Sequence, residues 1–308
     1  MKQRWGSYKN GNYTVHINLQ DGTKIRENDL DFFECGTVEA ADVKITNCCD
    51  MGCPMCHENS TPDGKHCSDL LDVEFLKHLH PYAELAIGGG NPLSHPQLEK
   101  FLIQCKERKF IPSITVHQVH FEKNFEYIKS LCDQKLIYGL GVSLVSATPQ
   151  FIEKIKQIPT AVVHVINGIV KISQLQALKD NGLKLLILGY KEVRRGKDLY
   201  SNQEARETID FAKSELYQKL PEITSKNWFK VVSFDNLSIK QLDVKRLMSE
   251  EQWQEFYMGD DGLDGKGTSA SMFIDLVEHK FSKNSCDLER YDLMDTIEDM
   301  YNFLYRGE

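Results

Sequence analysis

Short apolar runs and amphipathic stretches alternate through the middle of the chain. Residues 43–46, 85–88, 114–117, 136–144, 161–166 and 183–188 are brief, apolar and bounded by Gly, Pro, Asn or charged residues, the pattern of buried strands. Between them, apolar positions recur at helical spacing. Asp72 can cap a helix carrying Phe75, Leu76 and Leu79, and Pro96 suits the first turn of one carrying Leu98, Phe101, Leu102 and Cys105. Thr148-Pro149 opens another with Phe151, Ile152 and Ile155, and residues 204–219 give a further one. Repeated β–α units predict a parallel sheet with its functional residues at the C-terminal ends of the strands. That rule singles out Asn47 onward, Asn91, His117 with Gln118, Ser143, His164 with Asn167, and Tyr190 with Lys191.

The flanks read differently. Residues 12–26 alternate around Asp21-Gly22 and predict a hairpin. Beyond Pro221 come an apolar run at 229–234, a helix begun by a Ser249/Gln252 capping box, and a Gly-rich loop at 259–267 that suits a linker or lid. A second hairpin over 271–282 and a final helix over 288–304 complete the expectation. The chain thus divides into an N-terminal hairpin extension (1–38), an α/β body (39–222) and an α+β C-terminal extension (223–308).

Composition narrows the function classes. With 37 Lys and Arg against 45 Asp and Glu the net charge is −8, which lacks the basic excess of a non-specific nucleic-acid binder. No apolar run approaches the roughly 18–20 residues of a membrane helix, and no signal peptide opens the chain, so a cytoplasmic protein is expected. Nine cysteines in a reducing compartment are thiols, metal ligands or catalytic groups rather than a disulfide frame.

Four of them fall close together, in Cys48-Cys49-Asp-Met-Gly-Cys53-Pro-Met-Cys56-His57, whereas Cys35, Cys67, Cys105, Cys132 and Cys286 are scattered. Cys49, Cys53 and Cys56 can be wrapped round one compact metal centre by a single irregular loop, which Gly52 and Pro54 favour. A structural zinc would need a fourth ligand, which His57, His66 or Cys67 could supply. Three ligands on a four-iron cluster would instead leave one iron open. Cys48 reads as a packing thiol, and Cys67, Cys105 and Cys132 as core residues.

The spacing Cys49-x3-Cys53-x2-Cys56, directly after the strand at 41–47, resembles the cluster loop of the radical S-adenosylmethionine superfamily. The run Gly88-Gly89-Gly90-Asn91-Pro92-Leu93-Ser94-His95-Pro96 is similar to that family's Gly-Gly-Glu-Pro segment, with Asn91 replacing the usual Glu. The resemblance implies a partial (β/α)6 TIM-like barrel, one [4Fe-4S] cluster on the three cysteines, and S-adenosylmethionine chelating the open iron. It implies reductive cleavage to a 5′-deoxyadenosyl radical that abstracts hydrogen, chemistry carried by the cofactor while the protein positions and shields. Gly89, Gly90 and Asn91 would face the methionine amino group through backbone carbonyls. Met55 would lie near the adenine, and Ser143 near the carboxylate or ribose. Asn167 and Tyr190, at the ends of the fifth and sixth strands, join this cofactor-binding set.

The layout also suggests a peptide or protein substrate, with a nucleotide or other small molecule as the alternative, a flavodoxin- or ferredoxin-type reductant, and sensitivity to oxygen. Cys286 stands alone, so no auxiliary cluster is expected. The polar segment 57–66 reads as a substrate-side loop, and Lys191, Arg194 and Arg195 as a small basic group for an anion or as a solvated loop. The competing reading from another class is a non-catalytic Fe–S or zinc-binding protein.

Overall fold

Strand alternation decides which way the main sheet faces. Val43 and Ile45, Leu85 and Ile87, Ile114 and Val116, Leu140 and Val142, Val163 and Val165, and Leu185 and Ile187 are all buried in one apolar core. Their neighbours on each strand project to the opposite face, where Asp42, Ala86 and Thr115 remain exposed. The computed structural model describes residues 5–30, 32–256 and 269–307, so the Gly-rich loop at 259–267 lies outside the described residues.

The N-terminal element is a three-stranded antiparallel sheet of β1 (Trp5–Asn10), β2 (Tyr13–Asn18) and β3 (Lys24–Glu27). The expected hairpin is its second half. β1 was not legible because its sequence, WGSYKN, carries no apolar alternation; register with β2 makes it a strand.

Strands β4 (Ala40–Thr46), β5 (Glu84–Gly89), β6 (Ile111–His117), β7 (Gly139–Ser143), β8 (Ala161–Ile166) and β9 (Lys184–Leu188) follow, each parallel to the next. These are the six expected strands. Two more join them: β10 (Val231–Phe234) pairs parallel with β9, and β11 (Ser271–Asp275) pairs parallel with β4 on the other side. Strands β12 (Lys280–Ser282) and β13 (Tyr291–Asp292) extend that side antiparallel, giving the order β10-β9-β8-β7-β6-β5-β4-β11-β12-β13. Mixed α/β architecture around one large sheet is therefore established, with strands from 223–308 hydrogen-bonded into it.

The helices are α1 (Phe75–His78), α2 (Leu98–Glu107), α3 (Gln118–Lys123), α4 (Phe125–Asp133), α5 (Pro149–Ile155), α6 (Ile172–Leu178), α7 (Arg195–Ser201), α8 (Gln203–Ser225), α9 (Asn236–Leu242), α10 (Glu250–Phe256) and α11 (Ile297–Tyr305). Thr148 caps α5 as expected, its side chain accepting from the Phe151 amide. α1 is a single turn entered at Glu74 rather than Asp72. α8 runs past residue 219 and through Pro221 because Leu220 and Ile223 are both fully buried. The final helix is shorter than expected. Tyr291 and Asp292 pair with β12, and Thr296 begins α11 by accepting from the Asp299 amide.

Candidate functional site

The chain leaves β4 at Thr46 and enters the cysteine loop. Segment 57–66 then folds back on the strand end: the Asn47 amide donates to Lys65 O (2.7 Å), the Thr61 amide to Asn47 O (3.1 Å), and the Cys49 amide to Thr61 O (2.8 Å). His66 Nδ1 meets Thr46 Oγ1 at 2.8 Å. The loop is thus pinned at both ends, and only residues 50–60 bulge from it.

The turn after β5 is docked on the same strand end. The Gly90 amide donates to Thr46 O and the Asn91 amide to Cys48 O, both at 2.7 Å. A Cβ on Gly90 would stand 2.4 Å from Cys48 O, and one on Gly89, whose φ is +106°, 2.3 Å from Thr46 O. Only glycine permits this approach. Gly88 differs, since a Cβ there would meet nothing within 4 Å and open space lies beside it. The Asn91 side chain accepts from the Leu93 amide (3.2 Å) and caps the single 3₁₀ turn Pro92–Ser94.

Cys49, Cys53 and Cys56 are free and partly exposed. Burial pushes the Cys49 and Cys53 thiols up, and the neighbouring cysteines add to the effect, so the three lie within electrostatic reach of one another. Cys48 is turned away, its thiol donating to Pro62 O at 3.3 Å. Cys67 is buried with its sulfur 3.5 Å from His95 Nε2. Among the described residues no three His, Cys, Asp or Glu side chains converge on a point that could hold one metal ion.

Two arginines brace the loop, which was not anticipated. Arg194 Nη1 donates to His57 O at 2.5 Å. Arg195 donates to Cys53 O (3.3 Å), to Asn59 Oδ1 (2.9 Å) and to Ser60 O. Arg194 itself sits at φ +48° where the chain turns into α7. Met55 is partly exposed, and a Cβ on Gly196 of α7 would lie 3.5 Å from its carbonyl oxygen. From the other side His120 Nε2 donates to Asp50 Oδ1 at 2.6 Å, and that hydrogen bond holds the Asp50 carboxyl below its usual range.

The remaining predicted residues divide into two groups. Ser143 is partly exposed at the end of β7 and is flanked in register by His117 of β6 and His164 of β8, so these three share a face and a level. Burial alone drives the His164 imidazole down to about 4. Asn167 and Tyr190 are fully buried. Asn167 Nδ2 donates to Gln241 Oε1 (3.1 Å), which also accepts from the Tyr190 amide (2.9 Å), and the Tyr190 hydroxyl donates to Gly196 O (2.8 Å). Their side chains tie β8, β9, α7 and α9 together. Gln118 is likewise buried, accepting from the Val145 and Ser146 amides.

A charge network missed from the sequence underlies segment 57–66. Lys44 of β4 lies 3.0 Å from both Glu58 Oε2 and Asp275 Oδ2, and Arg290 lies 2.7 Å from Asp275 Oδ2. Its only sequence signal was a lysine inside an apolar strand; the partners are far along the chain.

No family model and no curated protein matches this sequence. Among solved structures the chain is similar to Streptococcus suis SuiB. It superposes on SuiB bound to S-adenosylmethionine with a TM-score of 0.62 at 12% identity, covering 100% of this chain and 89% of that one. Against SuiB bound to the precursor peptide SuiA the values are 0.61, 12%, 99% and 89%. The likeness runs the length of both chains and establishes a shared fold.

Proposed function

We propose that this chain is a radical S-adenosylmethionine enzyme with a peptide substrate, in which Cys49, Cys53 and Cys56 hold one [4Fe-4S] cluster. The observation that carries this reading is the junction of Gly90 and Asn91 with Thr46 and Cys48, which seats the turn after β5 on the root of the cysteine loop. The donor set fits. Three free thiols on one braced loop are soft ligands suited to iron–sulfur chemistry, and each cysteine of a cubane takes its own iron. A structural zinc would need a fourth ligand beside the three thiols.

When bound, the cluster would supply the one-electron reductive cleavage of S-adenosylmethionine that leads to hydrogen abstraction. The protein's part is binding and shielding. The backbone of Gly89 and Gly90 and the turn capped by Asn91 would receive the methionine end beside the open space at Gly88. Met55 and Ser143 would contact the rest of the cofactor. Asn167 and Tyr190 would act behind them by fixing the ends of β8 and β9. We read β4–β9 as the partial barrel of that family, residues 1–38 and 223–308 as its extensions, and a flavodoxin- or ferredoxin-type protein as the reductant. The fold shared with SuiB, whose crystal structures hold S-adenosylmethionine and a precursor peptide, supports both the cofactor and the substrate class.

The test is anaerobic reconstitution with iron and sulfide, reduction with dithionite, and assay of 5′-deoxyadenosine. Product from the wild type and none from Cys53→Ala is expected. Failure of the protein to take up iron would overturn the reading.

A further inference from the structure

A buried histidine holds the residue that follows Cys49. His120 Nε2 donates to Asp50 Oδ1 at 2.6 Å, a short, charge-assisted contact between groups 70 positions apart in sequence. The two ends differ in exposure: the His120 side chain is 6% exposed and that of Asp50 63%. The histidine is the fixed end. His117 Nδ1 accepts from the Val119 amide at 3.3 Å and caps α3, and His120 O accepts from both the Asn124 amide (3.0 Å) and Asn124 Nδ2 (2.9 Å), so the helix that carries the imidazole is held at its start and at its close.

Asp50 lies where the rest of the loop is least supported. Arg194 and Arg195 hold the backbone at Cys53, His57 and Ser60 and the side chain of Asn59. Among the described residues, the bond from His120 is the one hydrogen bond from another element that reaches residues 50–52. Asp50 also joins Cys49 to Met51, whose amide lies within reach of the Cys49 sulfur and draws that thiol down against the effect of burial. Fixing Asp50 therefore fixes the direction of the Met51 amide. Amide N–H groups directed at the sulfurs of an iron–sulfur site stabilise its reduced, more negative state and so raise its reduction potential.

We infer that His120 is a positioning residue for the cysteine site: through Asp50 it fixes the turn from Cys49 to Met51, so that the Met51 amide stays directed at the Cys49 sulfur. This rests on the function proposed above and adds to it a residue outside the loop that sets the reduction potential of the bound cluster. Outer partners of this kind orient a ligand and tune the metal without touching it. The oxygen of Asp50, as the acceptor for His120, does the holding, so a neutral side chain that keeps this oxygen can replace it.

The test is a redox titration of the full reconstituted chain, followed by electron paramagnetic resonance. Asp50→Asn and Asp50→Ala both remove the charge, but only Asn keeps an oxygen for His120. Asp50→Ala should therefore have a lower midpoint potential than Asp50→Asn. His120→Ala should fall below the wild type, and His120→Gln, which keeps an N–H donor, should recover part of that shift. Asp50 is exposed, so its two variants decide the matter even where a His120 variant does not fold. Equal potentials for Asp50→Asn and Asp50→Ala would overturn the inference, since charge alone would then account for Asp50. Deuterium exchange of the amides of residues 49–56 in the unloaded chain separates the two claims. If the wild type takes up no iron, the proposed function falls. Faster exchange in Asp50→Ala than in Asp50→Asn would still uphold the positioning role of His120, and equal exchange would remove it.

Discussion

The Asn91 amide donates to the Cys48 carbonyl at 2.7 Å, so the turn after β5 and the loop after β4 form one unit. Gly90 makes that contact sterically possible, because a Cβ there would lie 2.4 Å from the same oxygen. Gly90→Ala should therefore part the two segments, lowering stability by about 1–3 kcal/mol and lowering iron content after reconstitution. Thermal unfolding and an iron assay check this; unchanged values in both would show that the junction tolerates the methyl group.

Arg195 reaches Cys53 O, Asn59 and Ser60 from the start of α7. Arg195→Ala should loosen the loop and weaken iron retention against a chelator by roughly tenfold, as loss of an outer-shell partner does. Arg195→Lys should not rescue it, since one ammonium cannot replace a planar fork of donors. Iron release followed by chelator absorbance measures both variants.

Lys44 pairs with two carboxylates in the interior, one of which also meets Arg290. Lys44→Met leaves Glu58 uncompensated and Asp275 with Arg290 alone, at a cost of about 3 kcal/mol. Adding Glu58→Gln should recover part of that loss. Denaturant midpoints of the single and double variants give the comparison.

His164 sets a pH dependence. Its folded-state value is lowered from 6.5 to about 4, so between those limits the unfolded chain takes up a proton that the folded chain refuses. Its contribution is complete above pH 6.5 and is lost as pH falls through this window, by at most about 3 kcal/mol. His164→Gln should flatten the stability profile between pH 6.5 and 4. An identical slope in wild type and variant would assign the loss to other groups.

The six strands of the body were legible because each buries one apolar face and ends at a turn residue, and period-2 alternation survives in any sequence that makes such a sheet. β10 and β11 were placed by runs at 229–234 and 271–282, but their parallel pairing with β9 and β4 was not legible, since register partners such as Ser271 and Ala40 are far apart in sequence. The cysteine spacing and the glycine run pointed to one site from local sequence alone. The arginine brace and the Lys44 network did not, because Arg195 and Cys53, or Lys44 and Asp275, meet only through the fold. Asn167 and Tyr190 were picked out by their position at strand ends, which does not report where a side chain turns; both are buried against neighbouring elements.

The central claim is that three cysteines of one loop hold a cluster with an iron open to S-adenosylmethionine. Electron paramagnetic resonance of the reduced, reconstituted protein tests it most directly, with and without S-adenosylmethionine. The account predicts a single reduced [4Fe-4S] signal that changes shape when S-adenosylmethionine is added and is absent from Cys53→Ala. A signal that S-adenosylmethionine leaves unaltered, or one that survives Cys53→Ala, would contradict it.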